Sequence, residues 1–371
     1  MKNNLFYITP FYLPNKGGVE FYIERLSLYF CNKFSKIRII TYSPLTSNIK
    51  APKYEKKKNI YIHRFNWPFK NLFTVIENKN FFLVILYLFP GLFINTFHKM
   101  LKYKSDIIHG HGLTSLLIMY ILSFFFKRKY ILSSHAIYNL KERRLLSFIL
   151  KILLSRIDHI IAVGELSKKE LINCNVPGNK ISIFRNWVDE NYFKPIKKQN
   201  KKLIFLFVGR LIEKKGVKIF CALTDYFPKI NFYIVGEGDL ENYVENKIKS
   251  QKTKNLKLFK SISRSKLLKL YQKSNLLIAP VLYEEGNASV FLEALACGLP
   301  ILTDRRGCIT ENLNSEIAYF VKSDEKKIII FLNKFIKKNF KRIKQKKCRD
   351  YFMEKFSSKN LNYLDKIYNR K

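Results

Sequence analysis

The chain has 371 residues and a formal net charge of +40, with 68 Lys and Arg against 28 Asp and Glu. Apolar residues make up 47% of it, which excludes a disordered chain and leaves length for a buried core in each of two ordinary domains. Residues 1–185 carry 29 basic and 9 acidic side chains, half of the whole excess, so the charge is spread and forms no single basic arm. With no helix-turn-helix, zinc-finger or RNA-binding signature, nucleic acid is not the expected partner. An anionic membrane surface or a phosphorylated substrate suits the charge better. The six cysteines are scattered without a Cys-x-x-Cys pair, so neither a metal site nor a disulfide framework is expected and a reducing cytosol is favoured. Met1–Pro10 lacks the apolar core of a secretory leader and reads as a first strand.

Strand-like apolar runs alternate with amphipathic helical stretches, the pattern of a parallel α/β protein. Strands are expected at Leu5–Ile8, Ile37–Thr41, Ile60–Arg64, Ile107–His109, Tyr130–Ser133, Ile160–Val163 and Ile181–Phe184. After the polar run Ile196–Lys202 a second set follows at Leu203–Val208, Phe232–Val235, Leu256–Phe259, Leu276–Ala279 and Ile301–Thr303. This organisation implies two Rossmann-like domains, 1–185 and 186–350, with terminal helices over 351–371. A ligand belongs in the cleft at the C-terminal ends of their strands. Phe81–Phe97 is apolar but interrupted by Pro90-Gly91, so a buried or interfacial helix pair is expected there. Leu116–Phe126 with Lys127-Arg128-Lys129, and the basic amphipathic stretch Arg143–Arg156, either pack on the sheet or dock on anionic lipid. Lys322–Arg349 fits one long amphipathic helix with a solvated basic face.

Several short stretches carry chemistry. The loop Pro14–Glu20 places Gly17 and Gly18 between the first strand and a helix over Phe21–Phe30, where a phosphate or sugar can approach the backbone. No Gly-x-Gly-x-x-Gly is present, which disfavours a nicotinamide or flavin dinucleotide. His135 ends the strand Tyr130–Ser133; it either orients a hydroxyl or caps the strand. His109-Gly110-His111 lacks a third metal ligand at suitable spacing, so no metal is expected. Gly209-Arg210 and Lys215-Gly216 put two cations in the loop after a strand, suited to phosphate unless they are ordinary solvated charges. Glu285 and Glu293 straddle the start of a helix over Ala288–Cys297, with Asn287 as N-cap and Gly298 at its stop. Gly286 leaves the first-turn amides accessible, and carboxylates with free amides suit a polyhydroxylated anionic ligand.

These stretches together resemble the GT-B retaining glycosyltransferases of family 4, or "group 1". The segment Glu285–Glu293 is similar to that family's Glu-x7-Glu signature, Val208-Gly209-Arg210 with Lys215-Gly216 to its Val-Gly-Arg…Lys-Gly, and Val235-Gly236-Glu237-Gly238 to its Val-Gly-x-Gly loop. Gly17-Gly18-Val19-Glu20 is similar to its acceptor-side Gly-Gly-x-Glu, and Asn186-Trp187-Val188-Asp189 to its Asn-Gly-Val-Asp. The wording departs at Lys260, Val281, Asn287-Ala288 and Arg306-Gly307-Cys308, positions that bear on the donor base and sugar.

The resemblance implies transfer of a sugar from a nucleoside diphosphate sugar, UDP-linked in preference to GDP-mannose, to a glycan or lipid-linked hydroxyl. Arg210 and Lys215 would hold the diphosphate, Glu285 the transferred sugar and Glu293 the ribose, with Gly209, Gly236, Gly286, Asn287 and Ala288 around them. His135 would face the sugar and acceptor, Gly17 and Gly18 the acceptor or phosphate. No metal or other cofactor is implied, nor is nucleic acid. The enzyme is expected in the cytoplasm, peripheral on the inner face of the cell membrane. A sugar-nucleotide epimerase of the same fold and a non-enzymatic basic membrane-binding protein stand as alternatives.

Overall fold

The structure, a computed structural model, describes the chain apart from residues 1, 2, 16, 47, 48, 69, 77–80, 136–139, 141–143, 185, 197–201, 251–253, 261, 285–287, 338, 339, 370 and 371. It divides into two compact units, Met1–Phe184 with Ile367–Lys371, and Arg185–Lys366. The first unit runs β1 (Asn4–Ile8), α1 (Gly18–Phe30), β2 (Lys36–Tyr42), β3 (Tyr54–Lys57), β4 (Ile60–Phe65), α2 (Lys70–Ile76), α3 (Phe81–Lys102), β5 (Ile107–His111), α4 (Gly112–Phe125), β6 (Lys129–Ser133), α5 (Arg144–Leu154), β7 (His159–Ala162), α6 (Glu165–Asn173) and β8 (Ile181–Ile183). Its strands form one sheet in the order β3-β4-β2-β1-β5-β6-β7-β8, parallel except for β3.

The second unit runs β9 (Ile204–Val208), α7 (Val217–Tyr226), β10 (Asn231–Val235), α8 (Glu241–Ser250), β11 (Leu256–Phe259), α9 (Arg264–Lys273), β12 (Leu276–Ala279), α10 (Ser289–Ala296), β13 (Ile301–Thr303), α11 (Ile309–Asn312), β14 (Ala318–Phe320), α12 (Glu325–Phe335) and α13 (Gln345–Lys355). Its sheet is parallel throughout, in the order β11-β10-β9-β12-β13-β14. The last helix, α14 (Leu361–Asn369), closes the chain. Each sheet thus changes winding direction once, between β1 and β5 in the first unit and between β9 and β12 in the second. In open α/β sheets, ligands bind outside the strand C-termini at such a switch point.

Burial follows the alternation of side chains along a strand. Phe6, Ile8, Ile40 and Tyr42 pack with Leu88, Leu92, Leu116 and Leu150 under α3, α4 and α5. Tyr7 points to the other face, where it meets His109 and the ring of Tyr368 meets Phe30 of α1.

Three expectations change. Residues 81–97 form no helix pair: α3 is a single 22-residue helix with Pro90 inside it. Proline has no N–H to give to the helix ladder, and beside it a side chain enters the ladder. The Tyr42 hydroxyl donates to the Leu88 carbonyl and accepts from Leu92 N–H at 2.9 Å, so it sits in the Leu88–Leu92 rung that flanks Pro90. This helix is long and apolar enough to cross a membrane by length and composition, yet Leu88, Leu92, Thr96 and Met100 are buried in the unit. Second, Lys322–Arg349 is two helices, α12 and α13, separated by a turn in which Arg342 donates to the Phe335 carbonyl and Ile343 N–H to the Tyr319 hydroxyl. Third, β3 and β14 join the sheets unforeseen; β3 reads Tyr-Glu-Lys-Lys and is largely exposed, so no apolar alternation marks it.

Candidate functional site

The switch point of the second unit gathers the stretches singled out in the sequence. After β9 the chain forms a loop, a short 3-10 turn Glu213–Lys215 and then α7; after β12 it runs through Pro280 towards α10. The two loops are joined by the Leu282 N–H to Lys214 carbonyl bond of 2.9 Å. Gly216 adopts a left-handed conformation, φ +73, and a Cβ there would lie 2.0 Å from the Pro280 carbonyl oxygen. Only glycine lets the two backbones meet so closely. Lys215 Nζ sits 5.0 Å from the centre of the Tyr283 ring, so the lysine is drawn to the β12 loop. Arg210 is exposed just beyond β9.

The loop after β10 closes over the same place. Leu211 N–H donates to the Glu237 carbonyl at 2.9 Å, and a Cβ on Gly236 would stand 1.9 Å from the Gly209 carbonyl oxygen. Gly209, Gly236 and Arg210 therefore belong to one packed layer of backbone above β9 and β10.

Glu285, Gly286 and Asn287 lie outside the described residues. The helix after them begins at Ser289 with Ala288 at its N-cap, one residue later than expected and without a side-chain cap. Its first-turn amides thus take no cap from the residue that precedes it. The far end meets the expected stop: Gly298 N–H bonds to the Leu295 carbonyl and Leu299 N–H to Ala294, a Schellman pair. Arg349 donates to the Ala296 and Phe193 carbonyls, which fixes that end of α10. Glu293 faces inward on α10, 8% exposed, and accepts a 3.0 Å hydrogen bond from the Tyr271 hydroxyl. Sequence reading missed Tyr271, Tyr283 and Glu284, whose carboxylate accepts from Gly307 N–H. Each acts on a partner distant in sequence, so no local spacing announces it.

In the first unit the ends of β5 and β6 bring His111 and His135 together, Nδ1 to Nε2 at 3.0 Å, with rings stacked 5.2 Å apart. Tyr22 of α1 meets both edge-on, at 5.9 and 5.2 Å. Behind them His109 Nε2 lies 2.8 Å from the Ser133 hydroxyl and its Nδ1 2.7 Å from the Tyr368 hydroxyl, which in turn lies 3.1 Å from that of Tyr7. Burial holds all three imidazoles neutral: His109 falls to about 3, His135 to about 4, and His111 well below the usual range, with the neighbouring histidines adding to the effect on His109 and His111. His111 Nε2 is buried with no hydrogen-bond partner among the described residues. Gly17 is the N-cap residue of α1, and the Glu20 carboxylate folds back over it; Gly18 has open space where a side chain would stand. No group of three metal-ligating side chains occurs among the described residues.

Comparison with known proteins places the chain. The family described as "Glycosyltransferase Family 4" matches residues 16–192, and "Glycosyl transferases group 1" matches residues 188–351. The chain is similar to the phosphatidylinositol N-acetylglucosaminyltransferase gpi3 subunit of Schizosaccharomyces pombe, 22% identical over 86% of this chain and 69% of that one. It is 24% identical to the corresponding GPI3 subunit of Saccharomyces cerevisiae over 85% of this chain and 71% of that one. Among solved structures it resembles sucrose-phosphate synthase from Thermosynechococcus elongatus (TM-score 0.80, 16% identity, 99% and 98% covered). It also resembles HepE of Anabaena in complex with UDP and glucose (TM-score 0.74, 15% identity, 100% of both chains covered). The two matching families together span residues 16–351 and the fold is GT-B, so the chain belongs to the group 1, family 4 glycosyltransferases and is an enzyme of sugar transfer.

Proposed function

We propose that the enzyme transfers a sugar, with retention of anomeric configuration, from a UDP-sugar to a hydroxyl group of a lipid or lipid-linked saccharide. The observation that carries this is the convergence, at the switch point of the second unit, of Lys215, Tyr283 and the backbone of Gly209–Leu211 beside the helix that bears buried Glu293. Departure of a nucleoside diphosphate develops negative charge on its oxygens. Arg210 and Lys215 are fixed cations for that charge, and the first-turn amides of α10 are fixed dipoles, so no divalent metal is required. Glu293 holds the ribose hydroxyls and Glu285 the transferred sugar. A UDP-linked donor is favoured over GDP-mannose.

The first unit takes the acceptor. Neutral His135, held by His111, can exchange hydrogen bonds with a sugar or inositol hydroxyl without repelling a cationic neighbour. A lipid acceptor is supported by the names of the relatives. They include phosphatidylinositol N-acetylglucosaminyltransferase GPI3 subunits of two yeasts, together with an alpha-galactosylglucosyldiacylglycerol synthase of Streptococcus pneumoniae.

Such an acceptor requires the enzyme at a bilayer, on its cytoplasmic face. The outer sides of α3 and α5 expose Leu86, Ile94, Leu101, Leu145, Phe148 and Ile152, and neither helix contains an acidic residue. Thermal shift with UDP-, GDP- and dTDP-sugars identifies the donor, because only a bound ligand raises apparent stability. Transfer of labelled sugar from that donor into phosphatidylinositol vesicles, in the presence of EDTA, then tests acceptor and metal independence together. No transfer to phosphatidylinositol, diacylglycerol or their glycosides would refute the lipid acceptor.

A further inference from the structure

The first unit holds a cavity separate from the histidine pair. It has a volume of about 430 Å³ and is lined by β2, β4, the start of β3 and α3, through Lys53, Tyr54, His63, Arg64, Lys99 and Tyr103 among others. His63 pairs in register with Ile40, and Ile40 with Ile8. Neighbours in register share a face of the sheet, and Ile8 and Ile40 belong to the core under α3. Tyr7, His109 and His111 stack together on the opposite face. The cavity is therefore not part of the site around His135.

Its electrostatics are one-sided. Glu55 is engaged by Lys57 and Arg64 at 2.9 Å each, and Arg64 also donates to the Leu13 and Pro52 carbonyls. Around His63 the remaining charges are cationic: after desolvation, Lys99, Arg38 and Lys102 all push its imidazole away from the protonated form. Arg38 is 6% exposed and enclosed by the rings of Tyr103, Tyr61 and Phe6 at 4.1, 5.2 and 5.6 Å. His63, 8% exposed, stacks on the same Tyr103 at 5.9 Å. Arg38 Nε and His63 Nε2 are both buried with no hydrogen-bond partner among the described residues. Buried polar groups are normally satisfied, and a buried cation is normally paired. Of the two, His63 lines the cavity, whose rim carries Lys53 and Lys99, and Arg38 packs on Tyr103, another lining residue.

We propose that this cavity binds a phosphate-bearing group. Phosphate oxygens supply the acceptor that a His63 Nε2–H needs, Lys53 and Lys99 on the rim neutralise the charge, and Tyr54 and Tyr103 wall the organic part. The phosphate comes either from a lipid headgroup or from a free phosphate compound. The site stands apart from the donor and acceptor roles proposed above, and its occupancy does not depend on them.

The test uses the whole chain, with inorganic phosphate in one arm and short-chain phosphatidic acid, below its micelle concentration, in the other. Binding is measured by calorimetry, and the imidazole ¹⁵N signals of His63 are followed by NMR. K53E/K99E changes only rim side chains, and a matching thermal melt verifies its fold. Binding in either arm that shifts the His63 signals, and that weakens about tenfold or more in K53E/K99E, supports the site. Tighter binding of phosphatidic acid than of phosphate assigns a lipid headgroup; equal binding assigns a free phosphate group. His63 signals that move with neither probe, or equal binding by wild type and K53E/K99E, would overturn the proposal.

Discussion

The hydroxyl of Tyr271 donates a 3.0 Å hydrogen bond to the carboxylate of Glu293, joining two side chains that are 0% and 8% exposed on consecutive helices flanking β12. A carboxylate brought so far into the protein needs hydrogen-bond donors. The bond fixes its direction. Glu293→Ala is expected to raise donor KM about tenfold or more with a smaller change in kcat, the mark of lost binding common to ground and transition states. Tyr271→Phe keeps the carboxylate but loosens it, and raises KM about threefold. Steady-state kinetics against donor check both; an unchanged KM in Glu293→Ala would remove the ribose-binding role.

Arg210→Lys is expected to weaken UDP binding about tenfold although the charge is kept, because an ammonium cannot grip a diphosphate through two parallel N–H groups. Lys215→Met should weaken it further and lower kcat, since both the charge and its hold on Tyr283 go. Calorimetric titration with UDP separates the two variants. Equal affinities in wild type and Arg210→Lys would assign the arginine to solvent.

Gly216→Ala places a methyl group 2.0 Å from the Pro280 carbonyl oxygen at φ +73. Both the contact and the dihedral are unfavourable, so a loss of about 2 kcal/mol or more in unfolding free energy is expected. Because the clash pushes the β9 and β12 loops apart, UDP affinity should fall in the fraction that remains folded. Urea denaturation with and without UDP measures both, and native stability in this variant would contradict the described loop contact.

Acidification should destabilise the first unit. His109, buried and uncharged, titrates at about 3 against an ordinary 6.5, and His111 is displaced in the same direction. A histidine whose folded pKa is depressed binds its proton in the unfolded chain first. Stability is therefore complete above about pH 6.5 and declines as pH falls towards the folded value. His109 alone removes about 2 kcal/mol between pH 7 and pH 5, and His111 acts in the same direction. Denaturation curves at pH 7, 6 and 5 test the slope, and His109→Gln, which keeps a hydrogen-bonding side chain, should flatten it.

The outer face of α5 offers a test of bilayer docking. Leu145 and Phe148 are 68% and 61% exposed, so Leu145→Asp/Phe148→Asp should leave the melting temperature nearly unchanged. Each apolar side chain that enters a bilayer contributes about 1.5–3 kcal/mol, so the double variant should lose vesicle binding by tenfold or more. Retained sedimentation with phosphatidylglycerol vesicles at physiological salt would show that this face does not touch the membrane.

The amino-acid order by itself determined the alternation of strands and helices, the change of composition around residues 196–202, and the turn residues that end α10 at Gly298. These are local signals, because apolar periodicity and glycine stops act within a few residues. It also marked Gly209-Arg210 and Lys215-Gly216 as one loop and His135 as a strand-end residue. Tertiary structure alone decided the rest. Tyr42 enters the α3 ladder beside Pro90 from 50 positions before Leu92, and Tyr271 reaches Glu293 across 22. His111 meets His135 only because β5 and β6 lie side by side in the sheet. Arg38 and His63 share the ring of Tyr103 only because α3 folds over β2 and β4. In each case the partner's desolvation and direction come from elements distant in sequence. No pattern within a short window can encode them.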